Sequence, residues 1–162
     1  MSAPRTGGGP ALAVLAVLAG GLAAGVLDIL AAFAVYGLRG VSPLRILQSI
    51  ASGLLGARAF EGGYATAALG LALHFVIASG AAAVYYAASR FLPSLVRWPR
   101  AWGAAYGVAV YLFMNFVVLP LSAVAQRPFV ITTTAVAILI VHIVCVGIPI
   151  ALAVRRFGAQ AP

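Results

Sequence analysis

The sequence predicts an all-α fold: an integral membrane four-helix bundle with an amphipathic interfacial helix between the first and second spans. Three observations predict it. Only 7% of the 162 residues are charged, where an ordinary soluble domain carries about 25%. Hydrophobic residues make up 64%, more than a soluble chain of this length can bury. The apolar residues also fall into four runs, each long enough for a helix to cross a hydrocarbon core of about 30 Å. This composition excludes a cytosolic enzyme, a secreted disulfide scaffold and a disordered chain.

Residues 1–10 hold Ser, Pro, Gly and Thr with Arg5 and read as a short disordered tail. The first span covers about 11–38. It is nearly twice as long as the apolar core of a signal peptide, so it is expected to stay as a helix. Residues 42–58 differ in kind. Ser42 is a good N-cap and Pro43 suits the first helical turn. Leu44, Leu47, Ile50, Ala51, Leu54 and Leu55 recur at helical spacing, with Arg45, Gln48, Ser49 and Ser52 mostly on the other side. A helix lying in the membrane interface fits this pattern. A re-entrant hairpin through Gly53 and Gly56 is the alternative. The remaining spans cover about 64–89, 101–124 and 129–154, so 11–157 form one transmembrane domain. Residues 158–162 are a C-terminal tail.

All ten basic residues are arginine, which with abundant Ala, Gly and Val suits a GC-rich bacterial genome. They lie between the apolar runs, where they set topology rather than bind nucleic acid. With the N-terminus inside, Arg5, Arg90, Arg97, Arg100, Arg155 and Arg156 lie inside. Arg39, Arg45, Arg58 and Arg127 lie outside. Trp98, Trp102, Tyr85 and Tyr86 form an aromatic belt at the inner face, with Tyr36 and Tyr64 at the outer one. Both termini are therefore expected in the cytoplasm, in a bacterial inner membrane. The lone Cys145 reads as a small core residue. Glu61 beside Arg58 reads as a surface charge pair.

The first and third spans each carry a GxxxG pair, at Gly21/Gly25 and Gly103/Gly107. Such pairs let helix backbones approach closely, within a bundle or between two copies of the chain. Pro120 and Pro149 each remove a backbone donor and clash with the carbonyl four residues back, at Phe116 and Cys145. The third helix is expected to kink or end at the first, and the fourth at the second. Thr132, Thr133 and Thr134 can return hydrogen bonds to the backbone at the start of the fourth span.

Four polar residues interrupt the spans, one on each: Asp28, His74, Asn115 and His142. Counting residues to the outer helix ends puts all four roughly 13–20 Å inward, in a single layer. Polar groups in a membrane are costly and face the bundle interior. Three readings follow. The four can hydrogen-bond across helices and fix the packing, at about 0.6 kcal/mol each and up to about 1.7. Asp28 can carry a proton that His74 and His142 relay, with Asn115 orienting a water or a partner. Or His74 and His142 can hold a haem or a metal. No metal-ligand motif, nucleophile elbow or P-loop is present, and Asp28 and Glu61 lie at different depths, so no enzyme is expected. The function read first is translocation of protons or small ions. The alternative is a non-catalytic scaffold, or a subunit of a larger membrane complex or homo-oligomer.

Three stretches carry a likeness to a known group: GGLAAGVLDI (20–29), LHFVIASGAAAVYY with RFLP, WGAAYG and NFVVLPL (73–121), and AILIVHIVCVGIPIALAVRR (137–156). The chain resembles the YagU-like group of bacterial inner-membrane proteins. His74, Pro93, Pro120 and the Arg155–Arg156 pair match best. The first loop is shorter than expected of that group, and the likeness assigns Asp28 no clear counterpart there. The resemblance implies a small helical inner-membrane protein and brings no activity with it.

Overall fold

The computed structural model describes residues 9–124 and 129–158. Most of the N-terminal tail with Arg5, the loop position Arg127 and the end of the C-terminal tail lie outside the described residues. Among the described residues all regular structure is helical. Four helices are long and apolar enough to cross a membrane: Pro10–Gly37, Gly63–Ser89, Pro99–Leu121 and Thr133–Phe157. The chain is a multi-pass helical membrane protein. The third span stops at Leu121, short of Val124. The fourth begins at Thr133 rather than Phe129, because Thr132 is its N-cap and accepts from the Ala135 N–H at 3.1 Å. Of the three threonines, Thr134 departs from expectation, since its buried hydroxyl has no partner.

The first span ends in a turn at Gly40, whose φ of 77° lies in the left-handed region that glycine enters without steric cost. The chain then enters the helix Pro43–Leu55, called here the surface helix. Ser42 caps it by accepting from Arg45 N–H, and Pro43 occupies its first turn. It ends at Gly56 and passes through a 3-10 turn, Gly56–Phe60, into the second span. It is continuous through Gly53, the chain turns at Gly56, and the helix packs along the start of the second span. A side chain at Gly70 would strike the Leu47 carbonyl, so the two backbones touch there. Gln48 and Ser52 are buried, contrary to the face expected from the sequence. The reason is polar pairing: Gln48 Nε2 donates to the Gly63 carbonyl at 3.1 Å, and Ser52 Oγ to the Ser49 carbonyl at 2.6 Å. Arg45 stays outside with its guanidinium 4.1 Å from the Phe60 ring centre.

Both GxxxG pairs are used inside the bundle. Gly21 lies against Ser79 and Gly25 under the Phe75 ring, joining the first and second spans. Gly103 and Gly107 meet Gly147 and the His142 carbonyl, joining the third and fourth spans backbone to backbone. The third helix ends one residue past Pro120, at Leu121, as expected, whereas the fourth runs on past Pro149 to Phe157. Each proline is preceded by a π-helical stretch, Met114–Val118 and His142–Gly147. A π turn holds one extra residue, and the carbonyls that the two proline rings oppose, at Phe116 and Cys145, lie inside these stretches. An extra residue in the turn gives the opposed carbonyl room to clear the ring.

The end of the bundle away from the surface helix is closed by a core of Ala24, Ala82, Tyr85, Leu95, Val146, Ile150, Ala151 and Val154. Leu95 comes from a short helix, Ser94–Arg97, in the connection between the second and third spans. Two buried hydroxyls are satisfied there: Tyr85 donates to the Leu95 carbonyl at 3.0 Å and Tyr106 to the Ala81 carbonyl at 2.8 Å. Their rings meet edge to face, 5.0 Å between centres. Cys145 is half-buried on the fourth span rather than part of this core.

Candidate functional site

Asp28, His74, Asn115 and His142 all line one cavity of about 320 Å³. The sequence placed them at one depth without showing that their faces converge; the fold brings them together. The cavity follows the first span from Ala24 to Tyr36, a rise of about 18 Å. Toward the surface helix it is bounded by Ile46, Ser49 and Ile50. At the other end, beyond Ala24 and Val146, it gives way to the tyrosine-containing core.

The polar groups are held in a particular way. The His74 Nε2 lies 2.9 Å from the Gly25 carbonyl oxygen, and the His142 Nδ1 lies 2.9 Å from the Ile138 carbonyl oxygen. A carbonyl only accepts, so each of these nitrogens carries the proton. The Asn115 Nδ2 donates to the Tyr111 carbonyl at 2.8 Å. Of these bonds only that of His74 joins two helices. Interhelical bonding as the purpose of the polar layer therefore holds for His74 and not for Asn115 or His142. Asp28 is the most exceptional of the four. Its Oδ1 is buried without a hydrogen-bond partner, 4.0 Å from the His142 Nδ1, which is beyond hydrogen-bond reach. Both side chains keep some exposure, 18% for Asp28 and 15% for His142.

Local backbone explains these positions. Gly25 lets the ring of Phe75 close on the first span; that ring meets His74 edge-on at 5.6 Å and steadies it. Asn115 and His142 both lie in π stretches, which widen a helix and re-aim the side chains on it. Tyr111 sits edge-on to the His142 ring at 5.5 Å. Sequence reasoning missed Tyr36 and Tyr111 as lining residues. The signal was present: Tyr36 follows Asp28 by two four-residue steps and Tyr111 precedes Asn115 by one, so each pair shares a helix face.

The imidazole nitrogens left over, Nδ1 of His74 and Nε2 of His142, are the ones that would meet a haem iron or a metal. Among the described residues no three His, Cys, Asp or Glu side chains are grouped closely enough to hold an ion.

The fold and the cavity define a four-span helical membrane protein with a buried polar site. No family model, curated protein or solved structure matches the chain. The resemblance to the YagU-like group therefore rests on the stretches quoted above.

Proposed function

We propose that this protein moves protons or small cations across a membrane, with the cavity as its working site. One observation carries the reading: the only acidic residue within the spans has a buried carboxylate oxygen without a hydrogen bond, in a cavity shared with both histidines and Asn115. In this mechanism Asp28 takes up the ion or proton. His142, whose Nδ1 lies 4.0 Å from the Asp28 Oδ1, and His74 relay it, and Asn115 orients a water or the ligand through its free carbonyl oxygen. The closed tyrosine end implies that passage needs a second conformation in which that core opens. The bacterial inner membrane and cytoplasmic termini are part of the same proposal, supported by the arginine distribution and the YagU-like resemblance.

The test is proton flux into proteoliposomes under an imposed pH gradient and potential. Asp28→Asn should reduce flux to the background of empty vesicles while the protein stays helical. Equal flux in wild type and variant would refute the role of Asp28. No flux in either, with changed assembly in the variant, would favour a scaffold or a subunit of a larger complex. A second reading, haem or a metal between His74 and His142, is favoured by their ring N–H bonds, since metal-bound imidazoles usually give the other N–H to a carbonyl or carboxylate. It predicts a Soret band or bound metal in the purified protein, lost in His74→Ala.

A further inference from the structure

The donors and acceptors around the cavity are unevenly spent. His74, His142 and Asn115 each give an N–H to a backbone carbonyl. Ser49, from the surface helix, gives its hydroxyl proton to the Ile46 carbonyl at 2.6 Å. Apart from the second N–H of Asn115, what these side chains have left is acceptor capacity: Nδ1 of His74, Nε2 of His142, the amide oxygen of Asn115 and the lone pairs of Ser49. Asp28 adds a carboxylate whose Oδ1 accepts no hydrogen bond and lies 4.0 Å from the His142 Nδ1. Tyr36 and Tyr111 alone among the polar lining groups keep a hydroxyl that can turn either way.

A site rich in acceptors, with a single acid, recognises a ligand that is cationic and carries several donors. No three His, Cys, Asp or Glu side chains converge on one point among the described residues, as a metal held by such ligands requires. The rest of the wall is apolar, including Ile29, Ile77, Val110, Met114 and Ile138. Such walls and a volume of about 320 Å³ suit a small organic ligand, at the lower end of the range of about 300–1,000 Å³ for ligand pockets.

We infer that the cavity binds a small primary organic ammonium ion, its N–H donors shared among Asp28, the histidines and Asn115, and its hydrocarbon part against the apolar wall. The inference rests on the reading of the cavity as the working site, and names what that site takes. Ammonium ion and proton would then compete for the Asp28 carboxylate.

The experiment compares n-butylammonium with tetramethylammonium by calorimetry on the full chain in lipid nanodiscs. The two ions are isomers of equal charge, and only the first has N–H donors. The primary ammonium should bind at least about tenfold more tightly, the lower bound expected for one charge-assisted hydrogen bond. Neutral n-butanol should bind more weakly than n-butylammonium. Asp28→Asn should lose at least about tenfold in n-butylammonium affinity, and Asp28→Glu should keep measurable binding. Equal affinity for the two isomers, or an unchanged affinity in a helical Asp28→Asn protein, would overturn the inference. The isomer comparison needs no variant, so a variant that misfolds does not leave the question open. Proton flux in the same preparation separates the two proposals. Asp28-dependent flux that n-butylammonium neither inhibits nor accompanies by binding would end this inference and leave translocation standing. Binding without flux would do the reverse.

Discussion

Gly147 shows how much a single missing side chain decides here. A methyl group built on it would strike the Gly103 carbonyl oxygen and the backbone of Gly107. Backbone on both sides cannot move aside as a rotamer can. Gly147→Ala should therefore destabilise the bundle by about 1–3 kcal/mol, the usual cost of overpacking, in reversible unfolding from mixed micelles. Gly80 is the control, since a methyl there meets nothing within 4 Å. Gly80→Ala should leave stability unchanged or raise it by less than about 1 kcal/mol. Equal losses in both would show that helix propensity, not close approach, governs these positions. Asp28 is the opposite kind of residue. It makes no hydrogen bond through Oδ1, so little of the packing depends on its charge. The isosteric Asp28→Asn protein is accordingly expected to fold, which is what makes its flux and binding informative.

At the scale of elements, the surface helix is seated on the second span by contacts that can be named. It is anchored to the second span by the Gln48–Gly63 bond and by the contact of Leu47 with Gly70, and at its far end the Gly53 carbonyl accepts from Ala123 N–H at 2.9 Å. Gly70→Ala would push a methyl into the Leu47 carbonyl and lift the helix from its seat. Ile46 is only 6% exposed. With Cys145→Ala as background, a cysteine placed by Ile46→Cys should react slowly with a soluble maleimide, and markedly faster once Gly70→Ala is added. Equal rates would mean that the helix is held by contacts other than these. The π stretches show what the sequence could and could not reveal. Pro120 and Pro149 mark the right places, but proline alone does not say whether a helix ends, bends or bulges. That outcome depends on the neighbouring helix, and for the fourth span the neighbour is a pair of glycines that admits the bulge. The buried Gln48 was hidden for a similar reason: its partner, the Gly63 carbonyl, lies fifteen residues away.

For the whole molecule, the four spans and their order were legible because apolar length is a local property of the chain. So was the common depth of the four polar residues. Their meeting in one cavity was not, since it depends on how each helix is rotated, and helix ends read from sequence are uncertain by a few residues. Nor did sequence reveal that the cavity is closed at one end by hydrogen-bonded tyrosines. The topology has its own test. A fluorescent protein fused after Pro162 should fold and fluoresce in bacterial cells, and alkaline phosphatase at the same place should be inactive. The opposite pattern would reverse the sidedness and put the cavity's surface-helix end in the cytoplasm. The seam between the third and fourth spans has a mechanical consequence. Gly103, Gly107 and Gly147 bring backbone against backbone, with no side chain between to yield by degrees. Two rods joined this way do not creep past one another. They turn as a single lever, and any stroke that opens the far end of the bundle must pivot where side chains, not glycines, fill the gap.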